Sequence, residues 1–304
     1  MSELVQDHLP DEHAYVPPVV RRDWLLLTGI IIVCTVCILA VIGPYIGPYD
    51  PTRTTIRIAV APPSLSEIPS LLAGWIGGTL DHPPHWMGTD ANGYDIFSRV
   101  IAAPRTDLMI ALMANALSLV IGVFLGLIAG YFRNWATELL MRVSDVMQSF
   151  PVFISAMVLV ALAGRSATNI IIALAFVYVP IYVRLTRAEV LAQTARGYVE
   201  AARAMGNREL SIALRHVLPN SLTPALIQSS VTVGFAILLT AGLSFVGAGV
   251  RPPTPEWGLM ISTGANQIVL GEWWPSVFPG LAISITVFGF AVLGNALERR
   301  YERN

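Results

Sequence analysis

The chain contains no lysine: all 19 of its basic residues are arginine. That absence removes two classes of chemistry. A Walker-type loop places a lysine on the nucleotide phosphates, and Schiff-base catalysis needs a side-chain amine; this chain does neither by itself. Charge is scarce altogether, at 13% of 304 residues against about 25% in soluble domains. The net charge of −1 leaves no basic footprint for nucleic acid. Cysteine is nearly missing. Cys34 and Cys37 form a Cys-x-x-Cys, but inside the uncharged run "TGIIIVCTVCILAVIG". There they read as small apolar residues rather than a redox or metal pair, and no disulfide framework exists beyond them.

What the chain does have is apolar sequence: 54% hydrophobic residues and a mean hydropathy of +0.62. A helix needs about 20 mostly apolar residues to cross the hydrocarbon core. Six segments qualify or nearly so: 24–46, 108–132, 146–164, 166–184, 222–247 and 276–297. None holds Asp, Glu, Arg or His in its middle. The expected class is therefore an all-α polytopic membrane protein with six transmembrane helices. Its parts are a tail (1–23), the first helix (24–46), a long loop (47–107), a five-helix core (108–297) and a second tail (298–304). Pro180, in "YVPIYV", predicts a kink. With the N-terminus inside, 13 arginines fall in the inner segments 1–23, 133–145, 184–221 and 298–304, and 6 in the outer ones. Positive residues favour the cytoplasmic side, so both termini are expected there. "RRDWLLL" at 21–27 has the look of a twin-arginine signal. No small-residue cleavage site follows and five more spans do, so it reads as the start of an uncleaved first helix.

Small residues recur every fourth position along the second span: Ala114, Ser118, Gly122, Gly126 and Gly130. They share one slowly drifting face, and such stripes let helix backbones approach closely in lipid. The spacing leaves open whether the partner helix belongs to this chain or to another. Gly242, Ser244 and Gly247 nearly spell a nucleophile elbow, but the third glycine is due at 246, which is Val, so no serine nucleophile is expected. The loop 47–107 has its densest polar cluster in "HPPHWMGTDANGYDIFSRV". His82 and His85 flank two prolines without a clear third ligand and read as loop residues, not a metal site. Gly88, Thr89, Asp90, Asp95 and Arg99 are a candidate outer surface that meets a partner or caps a cavity. Trp257, Trp273 and Trp274 are expected at the outer interface.

The charged stretch "YVEAARAMGNRELSIALRHVLPN", 198–220, lies between two of the most apolar runs. It reads as two short helices around Gly206. Ala201, Ala202 and Ala204 keep the first one slim. Asn207 is a candidate N-cap for the second, Leu210, Leu214 and Val217 fall on one face, and Pro219 ends it. On spacing alone, a docking element for another protein and an amphipathic connector on the inner leaflet stand level.

"EAARAMG" followed by "HVLPN", with Pro219 thirteen residues after Gly206, resembles the EAA loop of ABC importer membrane subunits. Glu200, Ala201, Ala202, Gly206, Leu218 and Pro219 match that pattern, and His216 stands at its hydrophobic position. "GTDANGYDIFSRV", "ELLMRVSDVMQSFP" and "LSFVGAGVRPPTPEWG" are similar to the same branch. From about residue 20 to 297 the chain resembles the C-type permease of dipeptide/oligopeptide importers. It departs at Tyr94, where Arg is usual, at Glu138, where Asp is usual, and in the tail "GNALERRYERN".

The resemblance implies a type I ABC importer permease fold in the plasma (inner) membrane. It implies a multi-pass, binding-protein-dependent transport subunit rather than an enzyme. The coupling loop, within 196–220, would comprise Glu200, Ala201, Ala202, Arg203, Gly206, His216, Leu218 and Pro219. No cofactor is expected on this chain, since ATP and Mg would sit on partner subunits. The implied partners are a second similar permease, two ATP-binding subunits and an extracytoplasmic solute-binding protein. The implied solute is a peptide, with nickel chelates, glutathione, opines and oligosaccharides as alternatives in the same class. A secondary transporter is disfavoured by the lack of intramembrane acids and histidines, and an intramembrane enzyme by the lack of an HExxH or a nucleophile with a base.

Overall fold

The computed structural model describes residues 24–56 and 58–302. The tail 1–23, with Arg21 and Arg22, lies outside the described residues. Among those described the chain is all-α, with a single isolated bridge between Thr89 and Asp95. Five helices are long and apolar enough to cross a membrane, or six if one bent pair counts as a span.

α1 (Trp24–Ile46) buries only Gly29, Val36 and Gly43, one narrow stripe at seven-residue spacing. A Cβ on Gly43 would lie 1.8 Å from the carbonyl oxygen of Ile101, so glycine is what lets α1 lie against α3 (Ile96–Ala102). A short helix, α2 (Ile68–Ile76), interrupts the long loop and buries no residue.

The centre of the molecule is the pair α4 (Pro104–Tyr131) and α7 (Ala167–Thr194), each 28 residues long. The small-residue stripe of α4 faces α7 of the same chain. A Cβ added at Gly122 would stand 2.4 Å from the Cβ of Tyr182, one at Gly126 2.7 Å from the Val183 carbonyl oxygen, and one at Gly130 2.7 Å from Val190. Ala114 and Ser118 are fully buried higher on the same face. A polar node ties this seam to α11 (Thr223–Phe245): the Tyr182 hydroxyl donates to Asn115 Oδ1 at 2.5 Å, and Asn115 Nδ2 donates to Ser229 Oγ at 2.6 Å. In lipid such bonds join helices where water offers no alternative.

Two of the expected spans differ from the structure. The segment 146–164 is not one helix. α5 (Trp135–Ser149) and α6 (Val152–Ala163) meet at 93°. Pro151 disfavours helical backbone at the residue before it, and Phe150 is extended, φ −89 and ψ 142. α6, at 12 residues, is about 18 Å long against a hydrocarbon core of about 30 Å. α5 begins with a capping box at Asn134 and exposes Trp135, Leu139, Val143 and Val146 along one side. The span 166–184, in turn, is longer than its apolar run. α7 continues through Pro180 to Thr194, because its arginines find partners: Arg184 pairs with Asp145 at 2.9 Å and Arg187 donates to the Ala129 carbonyl at 3.3 Å. After α11 the chain turns into α12 (Trp257–Ala265) and finishes in α13 (Trp274–Glu302), which packs on α1, α11 and α12.

Gly126→Leu places a branched side chain where even a Cβ overlaps the α7 backbone. Overpacking typically costs about 1–3 kcal/mol. The expected result is a lower melting temperature and poor recovery of the full-length chain in detergent. Ile121→Leu, on the exposed side of the same helix, is expected to behave as wild type in the same thermal assay.

Candidate functional site

Past Thr194 the chain leaves α7 and forms a compact knuckle from four short pieces. Arg196 is extended and opens α8 (Gly197–Ala204). Val199 and Ala202, three residues apart, are its buried face; Glu200, Ala201 and Arg203 point outward. The backbone then reverses at Gly206, φ +81, and a Cβ added there would meet nothing within 4 Å. Glycine is needed here for its left-handed backbone, not for space. Asn207 does not cap the second helix. Its Nδ2 and its backbone N–H both donate to the Ala202 carbonyl, at 3.0 and 3.3 Å, so it closes the end of α8 instead. Arg208 occupies the N-cap position of α9 (Glu209–Ile212) without a side-chain cap.

A wide π turn, Ala213–Val217, follows, and then α10 (Leu218–Ser221). Pro219 starts α10 rather than ending the helix before it. It sits in the first turn, where its missing N–H is tolerated. The π turn also changes the buried face. With five residues between stacked positions, the inward set is Ile212, Ala213 and Val217, while Leu210 and Leu214 are exposed. These two leucines line a shallow hollow with Arg208, Ser211 and Arg215.

The inward set seats on the membrane helices. Val199, Ala202, Ile212, Ala213 and Val217 form one apolar cluster with Leu127 of α4 and Val190 of α7, and Tyr131, Tyr198 and Leu218 pack at its edge. A polar tie closes the two arms around Gly206. Arg203 donates to both oxygens of Glu209, at 2.7 and 3.1 Å, and the Tyr131 hydroxyl donates to the same carboxylate. The Arg203 guanidinium, helped by Tyr131, holds Glu209 down to about 2. This pair is solvent-exposed, so it fixes geometry more than it stabilises. Sequence reasoning named Arg203 but missed Glu209 and Tyr131; the available signal was opposite charges flanking a glycine break. His216 is half-buried, with its Nδ1 buried and unpartnered and its carbonyl accepting from Asn220 at 2.6 Å. Pro219 is exposed and Leu218 half-buried.

At the other end of the bundle, the residues expected to form an outer partner surface are instead an internal knot. Gly88, Thr89, Asp90, Asp95 and Arg99 are all buried. Most of their polar atoms are bonded to the backbone and to His85, while Arg99 Nε is buried without a partner. Asp95 accepts from Ser98 N at 2.8 Å, capping α3, and pairs with His85 Nδ1 at 2.7 Å. Asp90 accepts the N–H groups of Asn92 and Tyr94. Thr89 bridges Ile58 and Val60. Arg99 lies over the Tyr94 ring and donates to the carbonyls of Pro51 and Pro253, at 2.9 and 3.1 Å. Trp257 and Trp274 are likewise buried rather than in an interfacial belt, donating to the carbonyls of Val100 and Thr89 at 3.0 Å each. Trp273 stays exposed.

A family model described as "Binding-protein-dependent transport system inner membrane component" matches residues 122–303, more than half of the chain. The chain belongs to this permease family. It is 36% identical over 272 residues to the di/tripeptide transport system permease protein of Pseudomonas aeruginosa, covering 90% of this chain and 86% of that one. It is 34% identical over 274 residues to the probable D,D-dipeptide transport system permease protein of Escherichia coli, with the same coverage. A glutathione transport system permease protein of Pectobacterium atrosepticum is 38% identical over 214 residues, 70% of this chain and 71% of the relative. The fold is that of a type I ABC importer permease, and the matched region runs from Gly122 of the seam through the knuckle to the end of α13.

Gly206→Val forces a β-branched residue into left-handed backbone, at a cost of about 1–3 kcal/mol. Asn tolerates that region far better. Hydrogen exchange of the full-length permease is therefore expected to speed up across 198–220 in Gly206→Val, stay near wild type in Gly206→Asn, and leave the α4–α7 seam protected in both.

Proposed function

We propose that this permease forms half of a membrane pathway for short peptides, driven by ATP hydrolysed on two separate subunits. An external solute-binding protein would feed it and a second, similar permease would complete the pathway. The observation that carries this reading is the knuckle. It exposes Met205, Leu210 and Leu214 beside Arg203, Arg208 and Arg215 while its other face is fixed to α4 and α7. Such a surface suits a protein cleft with apolar walls and acidic edges. When the two ATPase subunits close on ATP, a knuckle held this firmly moves with them. The α4–α7 pair then follows as a rigid body and switches the side to which the pathway opens. With no lysine in the chain, ATP and Mg belong to the partners. Glu200, Ala201, Gly206, His216, Leu218 and Pro219 belong to the docking knuckle in this reading, and Ala202 to its seat.

The orientation we infer has both termini and the knuckle in the cytoplasm and residues 47–107 outside, on the strength of the arginine distribution. The peptide assignment draws on the di/tripeptide and dipeptide permeases among the relatives. Glutathione is the second reading, favoured by the higher identity of its permease over a shorter stretch; it is itself a small peptide.

Two measurements test this. In a background without Cys34 and Cys37, Leu65→Cys and Met205→Cys, both highly exposed, are expected to react from opposite sides: the first with an impermeant thiol reagent on intact cells, the second only after lysis. Reaction of both on intact cells sinks the orientation. In liposomes holding the complete transporter, ATP-dependent uptake of a labelled dipeptide is expected, with competition by unlabelled peptides. Uptake of a sugar or a metal chelate without any peptide uptake would overturn the solute assignment and leave the coupling scheme standing.

A further inference from the structure

Two carboxyl groups are buried at one helix start, about 35 Å along α4 from the knuckle. Asp107 lies in the first turn of α4 and Glu256 at the N-cap of α12; their exposures are 2% and 0%. Glu256 accepts the N–H groups of Gly258 and Leu259 at 2.9 and 2.7 Å. Asp107 Oδ2 accepts the N–H of Trp257 at 3.3 Å. Trp257, whose N–H Asp107 accepts, directly follows Glu256, so both carboxyls cap the same helix start. Two like charges side by side on one helix turn, buried from water and without a counter-charge, cannot both persist. One proton has to lie between them.

The geometry also says which group keeps the charge. Glu256 has two short amide donors at the start of a nine-residue helix, where the peptide dipoles favour an anion. Asp107 has one long N–H contact and is the natural O–H donor. We propose that Asp107 and Glu256 form a one-proton site, and that this shared proton clasps the N-terminus of α12 to the start of α4.

Nothing else nearby offers a substitute counter-charge. Among the described residues, the cations reaching this segment bond its backbone and not the two carboxyls. Arg99 of α3 bonds the carbonyls of Pro253 and Thr254, and Arg165, before α7, bonds those of Gly249 and Val250. Asp90 stands behind Arg99, and the Ser244 hydroxyl of α11 is buried without a hydrogen-bond partner. The rest of α12 has little slack: a Cβ on Gly258 would be 2.4 Å from Ala241, and one on Gly264 2.6 Å from Ser276. A second negative charge could be accommodated only by admitting water, which means lifting the helix end away.

The proton shared by the pair is held after the carboxyls of the unfolded chain have lost theirs, because burial opposes a second charge beside Glu256. A carboxyl raised on folding keeps its proton to higher pH than the unfolded chain does. Its contribution is therefore full at acid pH and is lost as pH rises from the ordinary carboxylate range through the folded value.

The test uses the full-length chain in lipid nanodiscs. In the infrared spectrum at neutral pH, a protonated-carboxyl C=O band is expected in wild type, disappearing as the pH is raised. Asp107→Asn is expected to lose that band, and its amide N–H replaces the proton, so its melting temperature should stay level where that of wild type falls with rising pH. Asp107→Ala, with no donor, is expected to melt below both at neutral pH. A wild-type spectrum without the band, whatever the variants do, overturns the proposal. So does a band that survives in Asp107→Asn, or a melting temperature that falls with pH equally in wild type and Asp107→Asn.

Discussion

Between Gly122 and Gly130 the backbone of α4 lies directly on α7, and both ends of the molecule hang from that contact. Side chains of ordinary size would hold the two helices about 8–10 Å apart; glycine removes the spacer. At one end the seam continues into the apolar socket of Leu127 and Val190, where the knuckle sits. Midway, Tyr182 packs over Gly122 and reaches Asn115, and through it Ser229 of α11. A side chain added to the stripe would disturb the seam, the polar node and the seat of the knuckle together.

The two ends are built on opposite logic. The knuckle turns its apolar side chains inward at Ile212, Ala213 and Val217 but leaves Met205, Leu210 and Leu214 open. The far end is closed. Its charged and polar residues are consumed internally, by Asp95 on Ser98 and His85, by Arg99 on backbone carbonyls, and by Asp107 on Trp257. Burying a polar group costs less when it is paired, and the partners come from the 47–107 loop and from residues 253–257.

The membrane helices and the all-α class are legible in the sequence because long uncharged runs have few other uses. The seam is readable because small residues at four-residue spacing say that something comes close, although not what. Other features defeat local reading for identifiable reasons. Hydropathy has no direction, so the bend at Pro151 disappears inside an apolar run. Arg184 and Arg187 look like the end of a span until Asp145 and the Ala129 carbonyl are seen beside them. Thr89, Asp90, Asp95 and Arg99 look like surface because polarity usually means exposure, and the carbonyls that Thr89 and Arg99 bond, at Ile58, Pro51 and Pro253, lie far off in sequence. The π turn shifts the buried face by one residue, an offset that a fixed helical period cannot show. The partnership of Asp107 with Glu256 spans almost half the chain and leaves no local trace.

The length of α7 has a mechanical meaning. At 28 residues it is about 42 Å long, and α4 is packed against it over three successive helical turns, so the pair is a doubled beam rather than a single rod. A rotation of about 10° about the far end would sweep the knuckle end through about 7 Å, since displacement scales with the arm. Stiffness is what makes that arithmetic usable. A beam that flexed would absorb a push in its own curvature, while one stapled backbone to backbone passes the displacement to its other end as an angle.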